Sequence, residues 1–321
     1  MGRISIVIPT HDRAGYLPES VRSIRAQRIS DIEIIIVDDA SGDPPRQRYG
    51  EDPLFAGVTW LCHDQNRGPG YSRRTGIQAA QGRYVGFLDD DDVLEPEYVE
   101  TALTVLESNP AVGLFCCDAT LIDAQGATLE EGRTFNSINA AIKRQHLTTG
   151  PRSLEEIFAM PTLGMGFLAR RTVFDRVSYP ATRRLEDYEF QLAVAASGFT
   201  VYYCHRPLAR YRMHAGNASR AYGMAAMTEQ LLASLRGAIE RYPALRESSA
   251  VVRRRVADVQ VDLGIARLRE GQIRRGLSAL ASGIRADPGQ ARDVASMAWR
   301  WAGRWMSHRE APASMVARVP R

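Results

Sequence analysis

Short apolar runs that end in polar clusters recur along the first hundred residues, and this repetition restricts the fold more than any other feature of the chain. Ile4 to Ile8 and Ile32 to Val37 are rich in β-branched residues, and Tyr84 to Leu88 is similarly apolar. Unbroken runs of this length mark parallel strands covered on both faces. Between the first two, Leu17, Val21, Ile24 and Ile29 share one helical face, so residues 4 to 37 predict a β-α-β unit. Val58 to Leu61 predicts a further strand, Tyr71 to Ala80 a helix, 97 to 107 another helix, and Val112 to Cys117 a strand. The alternation predicts an α/β fold: a doubly wound, Rossmann-like, mostly parallel sheet flanked by helices. Ligands in such sheets sit beyond the carboxyl ends of the strands. Three polar clusters stand there: Pro9 to Arg13, Asp38 to Asp43, and Asp89 to Asp92.

The last cluster holds four consecutive aspartates, Asp89, Asp90, Asp91 and Asp92. Carboxylates crowded at a strand end repel one another, and low dielectric sharpens the repulsion. A bound divalent cation would relieve it, since hard carboxylate oxygens suit Mg2+ or Mn2+. The plain alternative is a solvated acidic turn at the start of the helix near Pro96.

The 45% hydrophobic and 24% charged content is ordinary for a globular protein. Four cysteines without a CxxC pair support neither a zinc site nor a disulfide framework. Met1 to Arg3 lead straight into the first predicted strand, too short for a leader's apolar core, and no run approaches the ~20 apolar residues of a spanning helix. A cytoplasmic protein is expected. The net charge of +4 divides unevenly: residues 1 to 219 carry 23 Lys and Arg against 28 acids, and 220 to 321 carry 18 Arg against 9 acids. A basic second region suits an anionic neighbour.

Beyond residue 117 lies a polar irregular stretch, 123 to 153, an expected acceptor-side loop. Phe167 to Ala169 and Thr200 to Tyr203 predict strands, with a helix over Glu186 to Ser197. From about 220 the pattern is wholly helical, and Leu263 to Pro288 weakly resembles one tetratricopeptide-like hairpin. Two parts are expected: 1–219, divided near 110 into two halves (about 1–110 and 111–219), and an all-α extension over 220–321. Met297, Trp301 and Trp305 recur every fourth residue beside Arg300 and Arg304. Such a stripe packs in a core, joins a dimer, or lies at the inner face of a membrane.

Six elements in order resemble the family 2 glycosyltransferases of the GT-A fold. They are Ser5 to Arg13, Val37 to Asp43, the set Asn66, Gly68, Gly70, Arg73 and Gly76, the DxD-like Leu88 to Asp92, the acidic pair Glu186 and Asp187, and Tyr211, Arg212 and His214. Asp12 stands where that family more often has Asn, and Arg74 likewise. The likeness covers about two thirds of the chain and omits the helical extension.

The resemblance implies an inverting, metal-dependent transferase. It moves a sugar from a UDP- or dTDP-sugar to an acceptor hydroxyl in polysaccharide, glycolipid or other glycoconjugate synthesis. Pro9, Thr10, Asp12, Arg13, Asp39, Arg73, Asp89 and Asp90 would bind the donor; Asp91, Asp92 and His214 would hold Mn2+ or Mg2+; Asp187 would be the general base. Taken alone, Asp39 is an acceptor for a pyrimidine imide N–H or a turn aspartate, and Asp187 a base or a helix cap. Gly164 and Gly166 would let backbone approach the sugar. No nucleic acid is expected as a partner. The rivals are a nucleotidyltransferase and an inactive carbohydrate- or protein-binding module.

Overall fold

Strands β1 (Ile4–Thr10), β2 (Ile32–Asp38) and β4 (Tyr84–Phe87) form where the apolar runs stand. β1 lies between β2 and β4 and is parallel to both; Thr10 pairs with Asp38, so the loops that follow open at one edge. β3 (Thr59–Cys62) adds parallel to β2. Ile4, Ile6 and Ile8 pack into one core with Leu17, Val21 and Ile24 of α1 (Leu17–Arg25) and Tyr98, Val99, Ala102 and Leu106 of α4 (Tyr98–Ser108). Between them in the chain come α2 (Pro45–Tyr49) and α3 (Pro69–Ala79). On the other face of β1, Val7 reaches Gly76 of α3, where any Cβ would collide with the valine methyls. That close approach brings α3, and Arg73 with it, down onto the strand ends.

The computed structural model describes residues 4–129, 134–136, 147–160, 164–216 and 223–292. Past β4 the sheet changes sense. β8 (Met165–Arg170) inserts antiparallel between β4 and β6 (Val112–Ile122), and β9 (Thr200–Arg212) returns parallel to β6. The order is β3-β2-β1-β4-β8-β6-β9-β5, with β5 (Val93–Leu94) and β7 (Gly150–Arg152) both antiparallel to β9. The sheet is therefore mixed, its parallel half matching the apolar runs. β9 runs well past the predicted Tyr203, because Pro207 falls at a register shift against Asp118 of β6, where a missing N–H is tolerated. α5 (Leu154–Ala159) starts on a Ser153–Glu156 capping box, and α6 (Glu186–Ala196) follows.

Two compact units divide the described residues: 4–216 with 240–245, and 223–239 with 246–292. The helical pattern is followed by α7 (Met224–Arg241), whose residues up to 239 lie in the second unit, and by α9 (Ser249–Arg269) and α10 (Ile273–Ala286) of that unit; the short α8 (Pro243–Glu247), between α7 and α9 in the chain, is divided between the two. Among the described residues, four of the five large exposed apolar side chains belong to the second unit: Met224, Val251, Ile273 and Leu277. No described helix is long and apolar enough to cross a membrane. The stripe of Met297, Trp301 and Trp305 lies outside the described residues.

Candidate active site

The loops after β1 and β2 are laced together. Asp39 N donates to Thr10 O at 2.9 Å, Asp12 N to Ser41 Oγ at 2.9 Å, and Gly42 N to Asp12 Oδ1 at 2.8 Å. Asp12 and Ala40 take left-handed backbone, at φ 54° and 63°; Leu185, just before α6, is the other described non-glycine residue that does so, at 59°. Such conformations cost energy and persist where surrounding contacts enforce them. Pro9 and Thr10 are buried strand residues.

Asp39 is buried, and its carboxylate accepts from the backbone N–H of Arg67 (2.9 Å) and Gly68 (2.6 Å), with His63 Nδ1 at 2.7 Å. His63 Nε2 meets Thr75 Oγ1 at 2.9 Å. Asp39 thus orders the loop leading into α3.

The aspartate turn is closed by Asp92 N donating to Asp89 O at 3.1 Å, and Ser20 Oγ lies 2.8 Å from Asp90 O and 2.7 Å from Asp92 O. Asp89, Asp91 and Asp92 each bring one carboxylate oxygen within 4.8 Å of the others. Much of the expected repulsion is relieved by the chain's own cations. Arg13 forks to Asp90 Oδ1 and Asp91 Oδ2, both at 2.7 Å. Arg73, itself buried, donates to Asp89 Oδ1 at 2.5 Å and to Glu186 Oε1 at 2.8 Å, joining the turn to α6. Arg212 donates from its backbone to Asp92 Oδ1 (2.9 Å), from Nε to Asp91 O (2.8 Å) and from Nη2 to Glu19 Oε2 (2.5 Å).

Neutralisation is incomplete. Asp92 Oδ2 is buried with no hydrogen-bond partner among the described residues, and burial together with Asp91 raises its carboxyl far above the usual range. Burial likewise pushes Asp90 up to about 8, against the pull of Arg13. An orphaned carboxylate oxygen beside two convergent ones fits a hard divalent cation. Asp90 faces Arg13 and is outside the convergent set. His214 Nε2 lies 3.0 Å from Asp91 Oδ2, while Gly216 N donates to Nδ1 at 3.1 Å; a neutral ring then carries its proton on Nε2, toward Asp91.

Glu186 is nearly buried, and burial, opposed by Arg73, pushes it up to about 7. Asp187 is more open, with 35% of its side chain exposed, and lies 3.7 Å from Arg73 Nη1. Its Oδ1 accepts from Tyr179 Oη at 2.5 Å. A partly exposed carboxylate, linked to the aspartate turn through Arg73, can accept a proton from a hydroxyl. Gly166 has a packing reason: at φ 58°, a Cβ there would come 2.9 Å from the Tyr98 ring and 3.1 Å from Cys117 Sγ. Tyr179, Glu19 and His63 carried no sequence signal, since each is identified only by a partner distant in the chain.

A model described as "Glycosyl transferase family 2" matches residues 5–153, and one described as "Glycosyl transferase family group 2" matches 84–254. An uncharacterized glycosyltransferase of Haemophilus influenzae is 29% identical over 221 residues, 67% of this chain and 70% of that protein. Among solved structures, residues 1–349 of TarS from S. aureus, in complex with UDP-GlcNAc, align at TM-score 0.61 and 17% identity over 88% of this chain and 81% of that one. The mannosyltransferase PcManGT from Pyrobaculum calidifontis, in complex with GDP-Man and Mn2+, aligns at TM-score 0.59 and 17% identity over 95% and 83%. These structures share the GT-A fold with this chain.

Proposed function

The chain belongs to the family 2 glycosyltransferases, and on that premise we propose that it transfers a sugar from a nucleotide-diphosphate donor, UDP- or dTDP-linked, to an acceptor hydroxyl with inversion at the anomeric carbon. The observation that carries the reading is Arg73, whose guanidinium holds Asp89 on one side and Glu186 on the other, with Asp187 at 3.7 Å. Acids distant in sequence are thereby gathered on one guanidinium.

Asp89, Asp91 and Asp92 would hold Mn2+ or Mg2+, with His214 orienting Asp91. When bound, the ion offsets the charge of the diphosphate as it departs. Asp39 shapes the loop of Arg67 and Gly68 against which the base rests, and Thr10 lies under the same edge. Asp12 ties that edge to the loop after β2, and Arg13 ties it to the aspartate turn. Asp187 takes the acceptor hydroxyl proton while the oxygen attacks the anomeric carbon and the diphosphate leaves with the bonding electrons. The UDP-GlcNAc bound to TarS and the GDP-Man and Mn2+ bound to PcManGT support a nucleotide-sugar donor and a metal.

For the acceptor we favour a saccharide or lipid-linked chain presented at an anionic surface, because α10 exposes Ile273 and Leu277 beside exposed Arg274 and Arg275. The test is a thermal-shift panel of UDP-, dTDP- and GDP-sugars with Mn2+ or Mg2+. A ligand at ~100 times its Kd adds ~2.7 kcal/mol to stability. Metal-dependent stabilisation by uridine or thymidine diphosphates is expected; its absence for every nucleotide would overturn the reading.

A further inference from the structure

We propose that Tyr179 is a positioning residue for Asp187, itself held in place by Arg74; this rests on Asp187 being the general base. Tyr179 is buried, its ring against Phe87 at 4.9 Å and Phe190 at 4.7 Å between centroids, and Phe190 stacks on Phe174 at 5.7 Å. Its carbonyl accepts from Arg74 Nε at 3.1 Å and Nη2 at 2.7 Å. Backbone and ring are therefore both fixed, and the hydroxyl donates to Asp187 Oδ1 at 2.5 Å. Arg73 Nη1 stands 3.7 Å from the same oxygen.

A partly exposed aspartate at a helix start would otherwise swing among rotamers, and each change would move its proton-accepting oxygen. Here Oδ1 is occupied by Tyr179 and faced by Arg73, with Glu186 next in the chain bound to Arg73 as well. The other oxygen, Oδ2, is the one left to take the acceptor's proton. Tyr179 stays a donor throughout: burial, then the charge of Asp187, outweigh Arg73 and hold its phenol protonated. The departure of Arg74 from the residue usual in the resembled family thereby acquires a physical reason. Arg74 lies on α3 next to Arg73, so a single helix addresses the metal turn through one residue and the base through the other.

Tyr179→Phe keeps the ring and removes only the hydroxyl. In crystals of that variant the Asp187 carboxylate is expected to leave its position by about 1 Å, a displacement able to cost about a hundredfold in rate. Release of UDP from UDP-GlcNAc or UDP-glucose, and of GDP from GDP-mannose, with Mn2+ and water as acceptor, should show that loss in kcat with KM and thermal midpoint retained. Phe174→Leu, which loosens the same aromatic stack, should lower the midpoint without that loss. Asp187 unmoved in the Tyr179→Phe crystals overturns the proposal. A full-rate Tyr179→Phe enzyme beside an inactive Asp187→Asn enzyme also overturns it, whereas full-rate Asp187→Asn turnover overturns the base assignment beneath it.

Discussion

Arg13 and Asp91 stand 78 positions apart and meet at 2.7 Å, so the residue that leaves the first strand is fastened to the acidic turn after the fourth. Arg13→Ala removes that counter-charge from Asp90 and Asp91 together. With Arg13 28% exposed, the loss in metal-free protein is expected near about 1 kcal/mol after discounting for solvent screening. Urea denaturation measures it. Mn2+ should stabilise the variant more than the wild type, because the ion then meets an uncompensated acidic turn.

Ligand choice within the aspartate run separates two neighbours. Asp91 belongs to the convergent set, and Asp90 does not. Asp91→Asn should abolish the thermal shift produced by Mn2+, while Asp90→Asn retains most of it. Equal loss in both variants would remove the distinction.

Glu186 gives stability a pH dependence in the metal-free protein. Its carboxyl is raised from 4.5 to about 7, so between those values the folded chain holds a proton that the unfolded chain has released. Stability contributed by this group is full below the unfolded value and falls as pH rises through about 7. Between about pH 5 and 8, wild type should lose on the order of 1–3 kcal/mol relative to Glu186→Gln, read from paired denaturation curves. A parallel pair of curves would exclude Glu186 as the source.

The basic helical unit should bring the chain to anionic lipid. Full-length protein is expected to sediment with vesicles of phosphatidylglycerol and phosphatidylcholine, and to stay in the supernatant with phosphatidylcholine alone. Ile273→Ser with Leu277→Ser, both exposed on α10, should weaken sedimentation without changing helix content by circular dichroism. Undiminished binding by that variant would put the contact elsewhere.

What is legible in the amino-acid sequence is local. Ile4 to Ile8 and Ile32 to Val37 announce strands because each run is apolar by itself, and the acidic turn draws attention because the charges are adjacent. β8 could not be placed, since nothing in Phe167 to Ala169 records that it runs antiparallel between β4 and β6. Pro207 hid the length of β9 because a proline argues against a strand unless a register shift absorbs it. Asp39 reads as a free acceptor until the amides of Arg67 and Gly68 are seen to occupy it. Tyr179 is invisible for a related reason: its meaning lies in Arg74 and Asp187 jointly.

β8 reaches the edge that carries the aspartate turn by its beginning, whereas β1, β2 and β4 reach it by their ends, as the pairing of Phe87 with Phe167 records. A strand entered at that edge can be fed by a connection of almost any length, because loop-closure entropy grows only slowly with added residues. Changes of chain length just ahead of β8 would therefore leave the register of β1, β2 and β4 untouched, which makes this junction a place where the sequence can vary at little entropic cost.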